Sequence, residues 1–196
     1  MKKEITSRQT EIIEAAAKLL TNSGVSGLTI KNLAKEMNFS ESAIYRHFTS
    51  KEEIILAMLT FVLEHVDENY ISTSKTDLNA TEKFKLVFKS QFEFFQNKPH
   101  LAVAIFSDGL LEESILINEK ILHITTTRKK LIEPIILEGQ QTGLFRTDLN
   151  GDDLIHIIMG SVRLQMYKWR VGQFQFDITK SGHQLIESLL KLVSVK

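Results

Sequence analysis

No stretch of this chain alternates apolar and polar residues for long enough to form a half-buried β-strand, whereas apolar residues recur at helical spacing from Ile12 to Val193. Only nine glycines and two prolines occur in 196 residues, which leaves little material for hairpins or flexible linkers. The expected fold is all-α, with about nine helices.

Capping residues and breakers divide the chain. Ile12, Ile13, Ala16, Leu19 and Leu20 form one face of a first helix that stops at Gly24, a residue free to enter the left-handed conformation. Thr29 then caps a short helix carrying Ile30, Leu33, Ala34 and Met37. Asn38, tolerant of positive φ, breaks it, and Ser40 caps a third helix that runs to about His47. Ser50, with Glu53 three residues on, opens a fourth as a capping box. Residues 71–79 are small and polar and read as a loop. Phe84, Phe88, Phe92 and Phe95 share a face of a fifth helix ending near Asn97. Pro99 starts a sixth, which is expected to run to about Gly109. A long helix from about Ser114 to Glu138 contains Pro134 and should kink there. Gly139–Asp148 reads as a loop, followed by helices over about 152–171 and 178–193.

Residues 28–48 place a capped helix, a break and a second capped helix in sequence. That is a helix-turn-helix layout, in which the second helix enters the major groove and the first braces it. Ile30, Leu33, Ala34, Ala43, Ile44 and Phe48 supply the inner faces, and the small polar residues Ser40 and Ser42 beside Glu41 leave room for base edges. Charge alone would not suggest DNA. The net charge is zero, and residues 1–60 carry eight Lys and Arg against seven Asp and Glu.

The segments Arg8–Ala16, Leu28–Ala34 and Phe39–Ile54 closely resemble the DNA-binding domain of TetR-type regulators, most specifically in the Tyr-x-His-Phe-x-x-Lys run from Tyr45 to Lys51. The match covers about 50 residues. It departs at Asn38-Phe39, where the family more often has Gly-Val. The resemblance implies a DNA-binding domain over 1–52 and a helical regulatory and dimerisation domain over 53–196. It further implies that Thr29, Tyr45 and Lys51 meet DNA phosphates, that Ser40, Glu41, Ser42 and Arg46 face the groove, and that His47 serves a phosphate or packs. Arg46 is the candidate for a guanine contact. Lys2, Lys3 and Arg8 would form a basic arm.

By the same resemblance, the last two helices pair with their symmetry mates into a four-helix bundle, and a homodimer reads a double-stranded palindromic operator. Their apolar stripes run Leu154, Ile157, Ile158, Val162 and Gln165, then Ile178, Leu185, Ile186, Leu189, Leu190 and Val193. An effector pocket would lie among the fourth to eighth helices. Its candidate lining is Phe61, Phe88, Phe92, Phe95, Phe106, Tyr167 and Trp169, with His123, Arg163 and Gln165 as polar anchors, which suits a small hydrophobic or aromatic effector. For each aromatic residue the alternative is plain core packing.

Other chemistry finds little footing. The chain has no cysteine, which excludes disulfides and thiolate metal sites. The six histidines show no ligand spacing, and Asp148–Asp153 departs from a calcium loop in the position of its glycine, so no metal and no cofactor are expected. No phosphate-cradling loop, nucleophile elbow or zinc-protease motif is present, and an enzyme is not expected. With neither a leader peptide nor a membrane span, the expected location is the cytoplasm, at the nucleoid. Two rivals to a ligand-released repressor are a DNA-bound protein-interaction factor of the nucleoid-occlusion type, and a ligand-binding helical protein that no longer binds an operator.

Overall fold

The computed structural model describes residues 5–106, Leu110 and residues 114–195. Among these residues nine α-helices follow one another: α1 Ser7–Gly27, α2 Ile30–Glu36, α3 Glu41–Tyr45, α4 Lys51–Ser74, α5 Ala80–Asn97, α6 Pro99–Phe106, α7 Ile115–Gln141, α8 Gly151–Val171 and α9 Ile178–Val193. The β-type pairing recorded among them is one isolated antiparallel bridge, Phe145 to Ser194. The chain divides into two compact units, residues 1–63 with 100–122 and residues 64–99 with 123–196. The expected boundary at residue 52 falls inside the first. No helix among the described residues is long and apolar enough to cross a membrane.

In the first unit, α1 opens on a reciprocal cap: Thr6 Oγ1 accepts from the Gln9 amide at 3.3 Å, and Gln9 Oε1 accepts from the Thr6 amide at 3.1 Å. Its inner face buries Ile12, Ile13, Ala16, Ala17 and Leu20. Each large aliphatic side chain removed from water in this way contributes roughly 1.5–3 kcal/mol. Helical geometry breaks at Gly24, with φ 66° and ψ −172°, where a β-carbon would be strained. At the start of α4, Ser50 Oγ accepts from the Glu53 amide at 3.1 Å, and the Glu53 carboxylate accepts from the Thr49 amide at 2.6 Å and its hydroxyl at 2.7 Å. Ile54, Ile55, Met58, Leu59 and Val62 of α4 are buried, as is every residue of α6 from Leu101 to Phe106. The His100 ring nitrogen Nδ1 lies 3.1 Å from Thr21 Oγ1 and ties α6 to α1.

The second unit is organised by α5 against α9. Phe84, Val87, Phe88, Phe92 and Phe95 are buried along α5. The helices approach closely because Gly182 has no side chain: a β-carbon there would lie 2.4 Å from the Phe92 ring. Lys85 Nζ sits 2.6 Å from Glu187 Oε1, and the Ile178 amide donates to Gln96 Oε1 at 3.1 Å. Between α7 and α8, Gly143 takes φ 72°, and the amides of Leu144 and Phe145 both donate to the Gly139 carbonyl at 2.9 and 2.8 Å. Asn150 then caps α8 by accepting from the Asp153 amide at 2.8 Å, so Asp148–Asp153 is a turn followed by a cap.

Two stretches expected as loop are helical. Residues 71–74, expected as loop, continue α4 to Ser74. Their hydroxyls serve the helix end: Ser72 and Ser74 donate to the carbonyls of Asn69 and Ile71, while Thr73 and Asn69 are buried. Gly139–Gln141, also expected as loop, continues α7, and Gly139 leaves room for the Phe145 ring, which lies 2.1 Å from where a β-carbon would stand. The long helix thus runs through Pro134 as one element to Gln141. The expected end of the sixth helix at Gly109 lies outside the described residues.

Candidate nucleic-acid interface

The first unit presents two short helices whose ends are set by side chains. Thr29 Oγ1 accepts from the Asn32 amide at 3.1 Å and fixes the start of α2, and Asn32 Nδ2 donates to the Gly27 carbonyl at 2.9 Å. The turn after α2 closes through Phe39, whose amide donates to the Ala34 carbonyl at 2.8 Å, and through Asn38, whose amide donates to Lys35 at 3.2 Å. Asn38 adopts φ 54°, which satisfies the geometry that glycine usually supplies. Ser40 then caps α3 by accepting from the Ala43 amide at 3.2 Å.

These caps hold one apolar face inward and one polar face outward. Leu33, Ala34, Ile44 and Phe48 are buried. Thr29, Ser40, Glu41, Ser42, Tyr45 and Arg46 are exposed, Tyr45 by 52%. A half-exposed tyrosine on an otherwise polar surface is a hydrogen-bonding group turned to solvent, not a core residue. Arg46 is the C-cap of α3, one residue beyond the helix itself. The Ser40 and Ser42 hydroxyls lie 2.9 Å apart, so part of their bonding capacity is directed at each other.

Two residues beside this face tie to α1. His47 is half-buried, and its carbonyl accepts from Gln9 Nε2 at 3.3 Å, which ties the end of α3 to α1. Arg8, expected in a basic arm, is the second residue of α1, where it pairs with Glu11 at 2.5 Å and lies 5.1 Å from the Phe39 ring centroid. It braces the turn at Phe39 while its side chain stays about half exposed, at 48%. Lys2 and Lys3 lie outside the described residues. Lys51 opens α4 and is half-buried. Lys31 and Lys35 are exposed on α2 and add to the same surface; in the sequence they left only a slight local excess of positive charge.

The residues expected around an effector divide between the units. Phe61, half-buried, and Phe106, buried, belong to the first. In the second, Phe88, Phe92, Phe95 and Trp169 are buried. Phe92 lies against Gly182, Phe88 meets Phe84 edge-on with centroids 4.9 Å apart, and Trp169 Nε1 donates to the Phe176 carbonyl at 2.8 Å. His123, Arg163 and Tyr167 are exposed, and Gln165 is half-buried. Polar residues not singled out in the sequence, His65, Gln91 and Arg128, stand inside this unit.

The apolar stripes of α8 and α9 also sort themselves by face. Leu154, Ile158 and Val162 of α8 and Ile178, Ile186, Leu189, Leu190 and Val193 of α9 bury within their own chain. Ile157, Leu164, Tyr167 and Val171 of α8 remain exposed by 46, 58, 42 and 60%, together with Leu192 of α9. Leu164 and Val171 were missed in the sequence because each stands among polar residues, and Leu192 because it falls off the buried face of an otherwise apolar run.

The family model for bacterial regulatory proteins of the tetR family matches residues 12–58, and the model for the YsiA-like protein, C-terminal region, matches residues 58–192. The fatty acid metabolism regulator protein of Bacillus subtilis is 22% identical over 180 residues, covering 92% of each chain. The nucleoid occlusion factor SlmA of Vibrio cholerae is 27% identical over 140 residues, covering 68% of this chain and 71% of that protein. The solved structure of the transcriptional regulator FadR from Bacillus subtilis in complex with stearoyl-CoA superposes with a TM-score of 0.78 at 20% identity, over 92% of this chain and 97% of that one. With both models matching end to end behind a two-cap helix-turn-helix, the chain belongs to the TetR family of DNA-binding transcriptional regulators and is not an enzyme.

Proposed function

We propose that this regulator is a homodimeric repressor that holds a palindromic operator and releases it when an acyl compound of the fatty acid or acyl-CoA type binds its C-terminal region. The observation that carries the DNA half is the outward polar face fixed by two caps, with Tyr45 and Arg46 exposed above a fully buried Ile44. In this reading Thr29, Tyr45 and Lys51 contact phosphates, Lys51 with the first amides of α4 beside it. Ser40, Glu41, Ser42 and Arg46 face the major groove, and His47 braces α3.

The dimer is supported by the exposed stripe Ile157, Leu164 and Val171, spaced seven residues apart along α8, with Tyr167 beside it. A stripe of that spacing suits a second helix packed alongside, and two copies supply two half-sites. The acyl effector is supported by the names of the relatives: a fatty acid metabolism regulator aligns over nearly the whole chain, and a structural neighbour was solved with stearoyl-CoA. Release then requires that the effector bind the DNA-incompetent conformation more tightly than the competent one.

The test is a gel-shift screen of chromosomal fragments with the purified protein, repeated with stearoyl-CoA and with stearate. The expected result is a small number of retained fragments, freed by an acyl compound. A protein that retains specific fragments regardless of acyl compound would refute the effector. The relationship to a nucleoid occlusion factor supports a second reading, a DNA-bound factor with a protein partner and no small ligand. That reading calls for many retained fragments spread over the chromosome. If no fragment is retained at all, a ligand-binding protein without an operator is left.

A further inference from the structure

Inside the second unit the Arg128 guanidinium of α7 donates to Gln91 Oε1 of α5. That bond fixes the amide, since only its oxygen can face a guanidinium, and it turns the Gln91 NH2 group away. Gln91 Nε2 is buried and has no hydrogen-bond partner. His65 of α4 stacks on Phe94, one turn along α5 from Gln91, with ring centroids 3.9 Å apart, and its Nε2 is likewise buried without a partner. Arg128 and Gln91 thus bring seven N–H donors to one place and a single side-chain acceptor between them. The charge surroundings agree: burial, then the positive charge of Arg163, lower the Arg128 pKa to about 10, and no carboxylate contributes against them. A half-buried cation with no anion and a buried NH2 with no acceptor are both costly, and both are relieved by one added oxyanion.

We propose that Arg128 and Gln91, with His65 beside them, form the head-group end of the effector site and take an anionic oxygen group, a carboxylate or a phosphate, at the end of an acyl chain. The inference rests on the acyl-effector reading and adds the charge of the head group and the residues that recognise it. The guanidinium provides the charge, and the Gln91 amide and the His65 ring provide neutral hydrogen bonds. Phe94 and Phe95, on the same face of α5 one turn on, start an apolar wall for the chain.

The measurement is binding to the full-length protein without DNA, read by thermal shift and by the fluorescence of its single tryptophan, Trp169. The probes are stearate, stearoyl-CoA, CoA alone and octadecanol as the uncharged counterpart. The wild type is expected to bind at least one anionic acyl probe tenfold or more tightly than octadecanol. Preference for stearate assigns the carboxylate, and preference for stearoyl-CoA with measurable binding of CoA assigns a phosphate. Arg128→Met is expected to lose that preference while binding octadecanol as before, and to melt no lower than the wild type without ligand, because it removes an uncompensated, half-buried charge. Gln91→Leu serves as a second variant and is expected to weaken the anionic probe alone, so a misfolded Arg128 variant does not stop the test. Equal binding of octadecanol by the wild type, undiminished preference in the variants, or no binding of any anionic probe would overturn the inference. Failure of acyl compounds to free DNA would instead count against the repressor reading, since these titrations contain no DNA.

Discussion

Gly182 and Gly139 hold two contacts of the second unit through the absence of a side chain. A β-carbon at Gly182 would lie 2.4 Å from the Phe92 ring, and one at Gly139 2.1 Å from Phe145. Both rings are buried and have little room to turn aside, so ring or backbone must shift. Gly182→Ala and Gly139→Ala are each expected to cost about 1–3 kcal/mol in urea unfolding, although alanine is the better helix former. Two histidines give stability a pH dependence. Burial lowers the pKa of His65, partly offset by Glu68 and the Ser90 backbone, and burial with the charge of Lys18 lowers that of His100. Both rings hold protons less readily folded than unfolded. The unfolded chain therefore gains protons first as pH falls through the ordinary value of 6.5, and stability declines below it. Melting temperature should be level above about pH 7 and drop toward pH 5. A His65→Gln, His100→Gln double variant should flatten that slope.

At the scale of elements, the helix-turn-helix was legible because caps and breakers act locally. Thr29, Ser40 and Asn38 do in the structure what their side-chain chemistry dictates, with Asn38 at φ 54°. The end of α4 was not legible. Its Ser and Thr residues look like loop composition, yet Ser72 and Ser74 bond carbonyls within their own helix, and Thr73 and Asn69 are buried. The apolar stripes of α8 and α9 gave their period but not their partner, since burial within the chain and burial against a second copy share one spacing. The polar cluster of Arg128, Gln91 and His65 left no local signal, because three helices distant in sequence bring it together. For the recognition element, Tyr45→Phe and Lys51→Ala are expected to weaken binding to every operator sequence alike. Arg46→Ala is expected to relax preference at one base pair by about 1–3 kcal/mol if it makes a bidentate contact. Fluorescence anisotropy against single-base operator variants distinguishes the two patterns.

For the whole molecule, two-fold binding and DNA reading are linked. Leu164→Glu with Val171→Glu places charges on the exposed stripe of α8 without touching its buried face. The double variant is expected to sediment as a monomer with an unchanged helical spectrum, and to lose operator affinity because a single head spans one half-site. A variant that remains dimeric would move the interface elsewhere. The formal charge of the chain is zero, so any attraction to DNA must be local, and the proposed reading assigns it to the cations around α2, α3 and the start of α4. The most direct test of the central claim is therefore a salt titration of binding to a retained chromosomal fragment. The logarithm of affinity should fall linearly with the logarithm of salt concentration, and Lys51→Ala should reduce the slope by about 1. A protein that binds no fragment selectively at low salt, or whose affinity ignores salt and the loss of Lys51, would contradict it.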